Sequence, residues 1–570
     1  MNKFKKIFSK LRIYILIVVV AGGAFVSYSF VDNYFEVSKN LDIFATLFRE
    51  INIYYVDDTD PGKLMKKGID AMLESLDPYT NYIPESEIED YRFMTTGQYG
   101  GIGALIRQKG DYVVVSDPYD GYPAQKADLR AGDEILEIDG KSTKGKKTDE
   151  VSKILKGQPK TQIKLLIKRY GETNPIEKIV TREEIKVKSV PYYTMLNSDL
   201  GYIRLTGFME DAGAQVKEAL TALEEKNKLK GVVLDLRGNP GGLLNEAVNV
   251  TNVFVEKGQD IVSTKGKIRD LDKTYKTLNP ATDANIKLAV LISSGSASAS
   301  EIVSGTVQDL DRGVLVGQRS FGKGLVQTTR PLSYNNQLKI TTAKYYVPSG
   351  RCIQALDYTH RNEDGSVGKV PDSLMSPFKT KIGRTVYDGG GVLPDVVLEP
   401  SKYSNIAVSL SHKELIFDYA TIYHSKHVTI ASAKDFRITD EEFNDFVSYI
   451  SDKEYDYTTK SEKALEDLKK NAEDEKYFAD VKTEYEALHT KMMHNKKDDL
   501  NKNKAEIKNL LEDEIVSRYY FQNGRTEASF DHDQELMKAI DVLKDSALYG
   551  SILSSTFKNA VQEESDKKKK

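Results

Sequence analysis

The apolar positions change their period several times along the chain, and each change marks a different kind of structure. From 35 to about 91 the period is helical: Phe44, Leu47, Phe48 and Ile51 recur at one spacing, and Leu64, Ile69, Met72 and Leu73 repeat it. Asp77-Pro78-Tyr79-Thr80 breaks the second of these helices. Between 97 and about 188 the texture turns to short β-branched runs and glycine turns. Segments 112–116, 134–138 and 163–167 read as strands, with a short helix at 149–155. From 189 to about 400 the two periods alternate. Strands 201–205 and 231–236 flank a helix at 211–226, and strands 288–292 and 313–316 flank a helix at 300–309. That alternation predicts an α/β core, followed by antiparallel strands over 326–347. Beyond about 402 the chain is charged and helical. Phe478, Val481, Tyr485, Leu488 and Met492 form a heptad-like stripe that Ile507, Leu511 and Ile515 continue after a Lys/Asp-rich break.

Ahead of these segments, residues 13–31 form an uncharged, mostly apolar run. It follows a stretch with Lys3, Lys5, Lys6, Lys10 and Arg12 and no acid. The run suits one bilayer crossing with the basic flank kept in the cytoplasm. A cleaved signal peptide, with Gly22-Gly23-Ala24 as the cleavage site, is the alternative. Phe25, Val26, Tyr28 and Phe30 carry the apolar character past that site and favour a retained anchor. Either way the remainder lies outside the cytoplasm, in the periplasm or extracytoplasmic space. The expected architecture is multidomain α/β: a basic segment 1–12, a transmembrane signal anchor 13–31, a helical segment 32–94, a small β domain 95–188, an α/β core 189–400, a helical region 401–560 and a charged tail 561–570. The helical segment serves packing or dimerisation, and a homodimer or higher oligomer stays open.

Composition narrows the chemistry. At 570 residues the chain exceeds what one core organises. A formal net charge of −4 gives no broad electrostatic reason to bind nucleic acid. The single cysteine, Cys352, rules out an intramolecular disulfide and a Cys-rich metal site; with no adjacent histidine it reads as a plain cysteine. All 7 histidines, His360, His412, His424, His427, His489, His494 and His532, lie outside the segment 231–327, which argues against a Ser-His-Asp triad there. His424 and His427 have no carboxylate between them and read as surface residues, so no metal is expected.

Three segments carry candidate chemistry. Ser293-Ser294-Gly295-Ser296-Ala297-Ser298-Ala299-Ser300-Glu301-Ile302 follows an apolar strand and opens a helix. A hydroxyl there stands at a helix N-terminus, where unpaired N–H groups and the dipole stabilise an oxyanion. Ser320-Phe321-Gly322-Lys323-Gly324 sets a lysine between glycines, which let the chain pass close to another backbone. A desolvated lysine favours its neutral amine, a base for serine. Gly317, Gly322 and Lys323 also fit a P-loop, but Gly324 stands where the Ser or Thr that holds magnesium belongs, and strands follow. Leu234-Asp235-Leu236-Arg237-Gly238-Asn239-Pro240-Gly241-Gly242 runs from a strand into an irregular loop that can supply a second N–H donor.

Together, in this order, these segments resemble the carboxyl-terminal processing peptidases, also called tail-specific proteases. In that family the middle serine of Ser-Ala-Ser-Ala-Ser is the nucleophile, the lysine follows 25 residues later, and a glutamine 4 after that; the spacing here is the same. The resemblance implies a serine endopeptidase with catalytic residues Ser298, Lys323 and Gln327. It implies an oxyanion hole from the N–H groups of Ala299 and of Gly241 or Gly242. It leaves Ser296 and Ser300 as turn and N-cap residues.

It also implies a PDZ domain. Tyr99-Gly100-Gly101-Ile102-Gly103-Ala104 is similar to the PDZ carboxylate-binding loop, with Gly101, Ile102, Gly103 and Ala104 around a peptide C-terminus, and 129–140 is similar to the segment that follows it. The implied partners are proteins and peptides with accessible, partly apolar C-termini, and no cofactor is implied. The likeness covers about 41–400 and leaves the last 170 residues largely unread. A non-catalytic PDZ scaffold or chaperone and an acyl-CoA-type enzyme are the rival readings.

Overall fold

The computed structural model describes residues 34–558, apart from 227, 363, 456 and 493–495. The expected membrane anchor 13–31, its basic flank 1–12 and the tail 561–570 lie outside the described residues. Among the described residues no helix is long and apolar enough to cross a membrane. The chain divides into two units at residue 82. The first is helical across 34–54 and again over Pro61–Glu74, where Asp60 caps the helix by accepting from the Lys63 N–H and Pro61 opens it. Tyr34, Phe35, Leu41, Leu47 and Tyr54 stand exposed along the first helix.

The second unit begins with the β domain. Ala104–Lys109 (β1), Tyr112–Pro118 (β2), Glu134–Ile138 (β3), Gln162–Lys168 (β4) and Ile176–Thr181 (β5) form an antiparallel sheet in that order. Thr148–Leu155 (α1) buries Val151 and Leu155 against Val113, Ile135, Ile163 and Leu165. In β4 the buried positions Ile163, Leu165 and Ile167 alternate with more exposed ones, Gln162, Lys164, Leu166 and Lys168, the two-residue period of a strand with one wet face. β1, which the sequence pattern did not separate from its loop, is an edge strand, paired on one side only.

The α/β core is a six-stranded sheet. Tyr192–Met195 (β6) pairs antiparallel with Leu200–Arg204 (β7); then Gly231–Asp235 (β8), Lys287–Ile292 (β9), Val314–Gly317 (β10) and Val396–Val397 (β13) continue in parallel. Every residue of β8 is buried, as a parallel strand covered on both faces requires. On one face lie the crossover helices Ala212–Lys226 (α2), Leu244–Phe254 (α3) and Ala299–Asp309 (α4), with Val216, Leu220, Val250, Phe254, Val303 and Val307 in the core. The expected antiparallel strands are the hairpin Leu325–Pro331 (β11) and Gln337–Tyr346 (β12).

The other face of the core sheet is covered by a helix from beyond residue 400. Helix Gln534–Lys544 (α9) lays Leu536, Ala539 and Val542 on Val233, Leu291 and Val316. Burying a leucine or valine side chain contributes about 1.5–3 kcal/mol, so α9 closes this face of the protease sheet. Leu415–Lys426 (α5) and the long helix Lys504–Ala528 (α8) form a separate core around Tyr419, Ile507, Leu511 and Ile515. α8 is kinked at Phe521, whose φ is 54°. The two parts of the heptad-like stripe, on either side of the Lys/Asp-rich break, lie in different packings. The first part, on Phe478–Met492 (α7), packs beside Lys460–Asp474 (α6) as a hairpin with no residue of α7 buried. The second part lies inside the α5–α8 core. The β domain docks on this helical region: Lys109 pairs with Asp418 at 2.5 Å, Arg107 with Glu414 at 2.9 Å, and the Arg107 and Arg518 guanidinium groups lie 3.9 and 4.3 Å from the Phe417 ring centre.

Candidate active site

Between the end of β9 and the start of α4 the chain makes a tight turn that leaves Ser298 half-exposed just ahead of the helix. Ser298 has φ 55° and ψ −112°, a region glycine enters readily and serine rarely. Such a conformation costs on the order of 1–3 kcal/mol, so something must hold it. Ser296 Oγ donates to the Leu236 carbonyl at 2.8 Å and Ser300 Oγ to the Asn239 carbonyl at 2.9 Å. The Ala297 N–H also reaches Asn239 O, at 3.0 Å, and the Tyr345 hydroxyl donates to the Ser298 carbonyl at 3.1 Å. The helix start differs from expectation: Ser298 occupies the capping position, while Ser300 is buried in the first turn of α4 and ties the helix to the neighbouring loop.

Glu301 joins this turn to the lysine. Its carboxylate is fully buried. Oε2 accepts from the N–H groups of Ser298 at 2.8 Å and Lys323 at 2.9 Å; Oε1 accepts from Ser320 Oγ at 2.5 Å and the Gly322 N–H at 2.7 Å. Burial pushes the Glu301 carboxyl above its ordinary value, against the pull of those donors. The motif contained this residue, yet the sequence reading assigned it no role. The available signal was an acid three residues after a helix-opening serine, the spacing of a capping box. Replacing Glu301 by glutamine puts an NH2 group among N–H and O–H donors. The expected result is a loss of at least about tenfold in kcat, as the two loops drift apart, read from peptide hydrolysis beside a thermal melt.

Lys323 is half-buried on its glycine-flanked loop. A Cβ on Gly322 would lie 2.3 Å from the Ala355 Cβ, and one on Gly324 2.8 Å from the Gln354 nitrogen, so the loop does pass hard against another backbone. It leads into strand β11, not a helix, which removes the P-loop reading. Gln327 lies on β11 beyond a bulge, its Nε2 donating to Thr341 Oγ1 at 3.1 Å. Burial pushes the Cys352 thiol up, away from a reactive thiolate.

The loop after β8 comes up beside Ser298. Asn239 braces it: Nδ2 donates to the Leu205 carbonyl at 2.8 Å, and Oδ1 accepts the Gly241 N–H at 2.9 Å. Gly241 has φ 101°, and a Cβ there would lie 2.8 Å from Ser298 Cβ and 2.9 Å from the Ala299 nitrogen. Gly242 bridges to Phe208, whose N–H donates to the Gly241 carbonyl. Among the described residues no hydrogen bond engages the N–H of Ala299 or of Gly242, whereas that of Gly241 is committed to Asn239.

In the β domain, Gly101 ends a strand, Gln98–Gly101, that pairs with Glu183–Lys186. Ile102 is buried in the domain core and its carbonyl accepts from the Ala124 N–H. Gly103 has φ 71°, and a Cβ on it would lie 2.6 Å from the Tyr122 Cβ. The Tyr119 N–H donates to the Gly103 carbonyl at 2.9 Å, so Ala104 and Pro118 are a non-hydrogen-bonded pair and the Ala104 N–H faces the open edge of β1. Among the described residues no hydrogen bond engages the N–H of Ile102 or Gly103.

Three family models match segments of the chain: a PDZ domain over 114–169, peptidase family S41 over 199–360, and the C-terminal helical domain of probable PDZ-proteases over 406–543. The carboxy-terminal-processing protease of Bartonella bacilliformis is 38% identical over 384 residues, which cover 66% of this chain and 80% of that protein. A probable CtpA-like serine protease of Staphylococcus aureus is 34% identical over 373 residues, 65% of this chain and 67% of that one. Among solved structures, a photosystem II D1 C-terminal processing protease is 29% identical, with a TM-score of 0.34, over 63% of this chain and 92% of its own. The S41 match spans β8, the Ser298 turn and the Lys323 loop. On that match and the extent of the Bartonella relative, the chain belongs to the carboxy-terminal-processing serine proteases of peptidase family S41.

Proposed function

We propose that the chain is an endopeptidase of the cell envelope in which Ser298 is the nucleophile and Lys323 its general base. The observation that carries this reading is the shared acceptor. Glu301 Oε2 takes the N–H of both residues, so a serine in a glycine-like conformation and a lysine between glycines meet at one atom. The neutral Lys323 amine removes the Ser298 hydroxyl proton as Oγ attacks the scissile carbonyl. Charge growing on the carbonyl oxygen is met by the N–H groups of Ala299, at the N-terminus of α4, and of Gly242. Gly242 is preferred over Gly241 because the Gly241 N–H already serves Asn239. The Lys323 ammonium then protonates the leaving amine, and water activated by the same lysine releases the acyl group from Ser298. Gln327 orients the lysine.

The PDZ domain supplies recognition in this reading. A substrate C-terminus adds as a strand along the open edge of β1, beside α1, with its carboxylate at the N–H groups of Ile102, Gly103 and Ala104 and with Gly101 keeping the approach clear. The full chain carrying Ser298→Ala should bind a peptide with a free, apolar C-terminus at least about tenfold more tightly than the same peptide amidated. Equal affinities, measured by calorimetry, reject carboxylate capture. The basic and apolar pattern of 1–31 supports an envelope location with the catalytic unit outside the cytoplasm. The exposed apolar row on the helix across 34–54 supports self-association as a homodimer.

A further inference from the structure

Two loops must be held in register for the proposed reaction: the one after β8, with Gly241 and Gly242, and the one after β10, with Lys323. Glu301 links the Lys323 loop to the Ser298 turn, but it does not hold the roots of either loop. Those roots are Arg237, two residues after β8, and Gln318, directly after β10. Both reach the same short stretch at the far end of the chain.

The Arg237 guanidinium wraps Asp235, through Nε at 3.0 and 3.1 Å and Nη2 at 2.6 Å. It then spans to the start of α9. Nη1 donates to Asp533 Oδ1 at 2.8 Å and Glu535 Oε2 at 2.9 Å, and Nη2 donates to Asp533 Oδ2 at 2.6 Å. The second oxygen of Glu535, Oε1, accepts from Gln318 Nε2 at 2.8 Å. One glutamate therefore touches the roots of both loops. The Asp533, Glu535 and Arg237 side chains are 12%, 14% and 22% exposed, so water screens the cluster only in part. Bidentate guanidinium–carboxylate contacts fix direction as well as distance. Burial would raise the Asp235 carboxyl, but Arg237 outweighs it and holds the group below its ordinary value.

We infer that Asp533 and Glu535 are positioning residues for proteolysis: through Arg237 and Gln318 they set the oxyanion loop and the lysine loop relative to each other, which makes the C-terminal helical domain part of the catalytic unit. This rests on the proposed roles of Ser298, Lys323 and the Gly241–Gly242 loop. Neither carboxylate touches the reacting atoms. Their effect appears in kcat, because loops that are slightly misplaced lose transition-state contacts before they lose substrate binding.

Deleting α9 would uncover the protease sheet, so the test uses charge-neutral replacements in the full chain. Asp533 also caps α9, accepting from the Leu536 N–H, and asparagine caps equally well; Asp533→Asn therefore removes the charge and keeps the helix start. Asp533→Asn combined with Glu535→Gln should lower kcat about ten- to hundredfold with KM within about twofold. Labelling of Ser298 by a fluorophosphonate should slow in step. Arg237→Lys, which keeps the charge and loses the fork, should do the same, and adding Asp533→Asn to it should cost little more. Val542→Ala, on the same helix and buried against the sheet, is the control: it should lower Tm yet keep kcat near the parent value. The inference is overturned if the double variant keeps the parental kcat, or if Val542→Ala at matched Tm loses kcat equally. Ser298→Ala is run beside them. If it stays active, the nucleophile assignment falls; if it is inactive while the double variant is fully active, only the positioning role falls.

Discussion

Ser298→Ala and Lys323→Ala should each reduce proteolysis by at least about a thousandfold, and the double variant should be no worse than either. Non-additivity is expected because the two side chains perform one step, transfer of a proton from the nucleophile as it attacks. Folding should survive. The Ser298 turn is held by hydrogen bonds of Ser296, Ser300, Tyr345 and Glu301 to backbone groups, and those bonds do not use the Ser298 hydroxyl. Hydrolysis of an unfolded test protein, with thermal melts alongside, reads both quantities. Ser296→Ala gives the contrast. It removes a buried hydroxyl that donates to the Leu236 carbonyl and should cost about 1–2 kcal/mol of stability while keeping most activity. Parental cleavage by Ser298→Ala would contradict the assignment.

Gly241→Ala has the second large effect, and it acts without touching either catalytic side chain. The added methyl would lie 2.8 Å from Ser298 Cβ, 2.9 Å from the Ala299 nitrogen and 2.8 Å from the Ala297 carbonyl oxygen, all parts of a turn with no room to give. Its φ of 101° adds backbone strain for any residue with a side chain. The loop must withdraw, taking the Gly242 N–H away from the developing oxyanion. Losing one such donor lowers kcat about a hundred- to a thousandfold. A kcat within threefold of the parent, at unchanged Tm, would mean that this loop does not face the reaction.

Much of the core was legible because local pattern and long-range packing agree there. The strand–helix alternation over 201–316 reads directly as a parallel sheet, and the small-residue turn before α4 has the composition that a strained elbow needs. Other features depend on partners far along the chain. β1, Ala-Leu-Ile-Arg-Gln-Lys, lacks the β-branched run of its neighbour β2 and is a strand because β2 pairs with it. Leu536, Ala539 and Val542 look like any amphipathic stripe, and only the fold shows that they close the protease sheet. Glu301 was visible as an acid in a polar turn; that it also gathers Ser320, Gly322 and Lys323 follows from the return of the chain through β10. The stripe over 478–515 left its packing open, because a heptad spacing is the same for a short hairpin, a buried helix and a long coiled coil.

The most direct test of the central claim is to locate a covalent adduct by peptide mass spectrometry after the intact chain reacts with a fluorophosphonate. The Ser298–Lys323 account predicts one modified site, Ser298, and labelling that becomes at least about a hundredfold slower in Lys323→Ala, because the hydroxyl loses its base. An adduct on Ser296, Ser300 or Cys352, or undiminished labelling of Ser298 without Lys323, would contradict it.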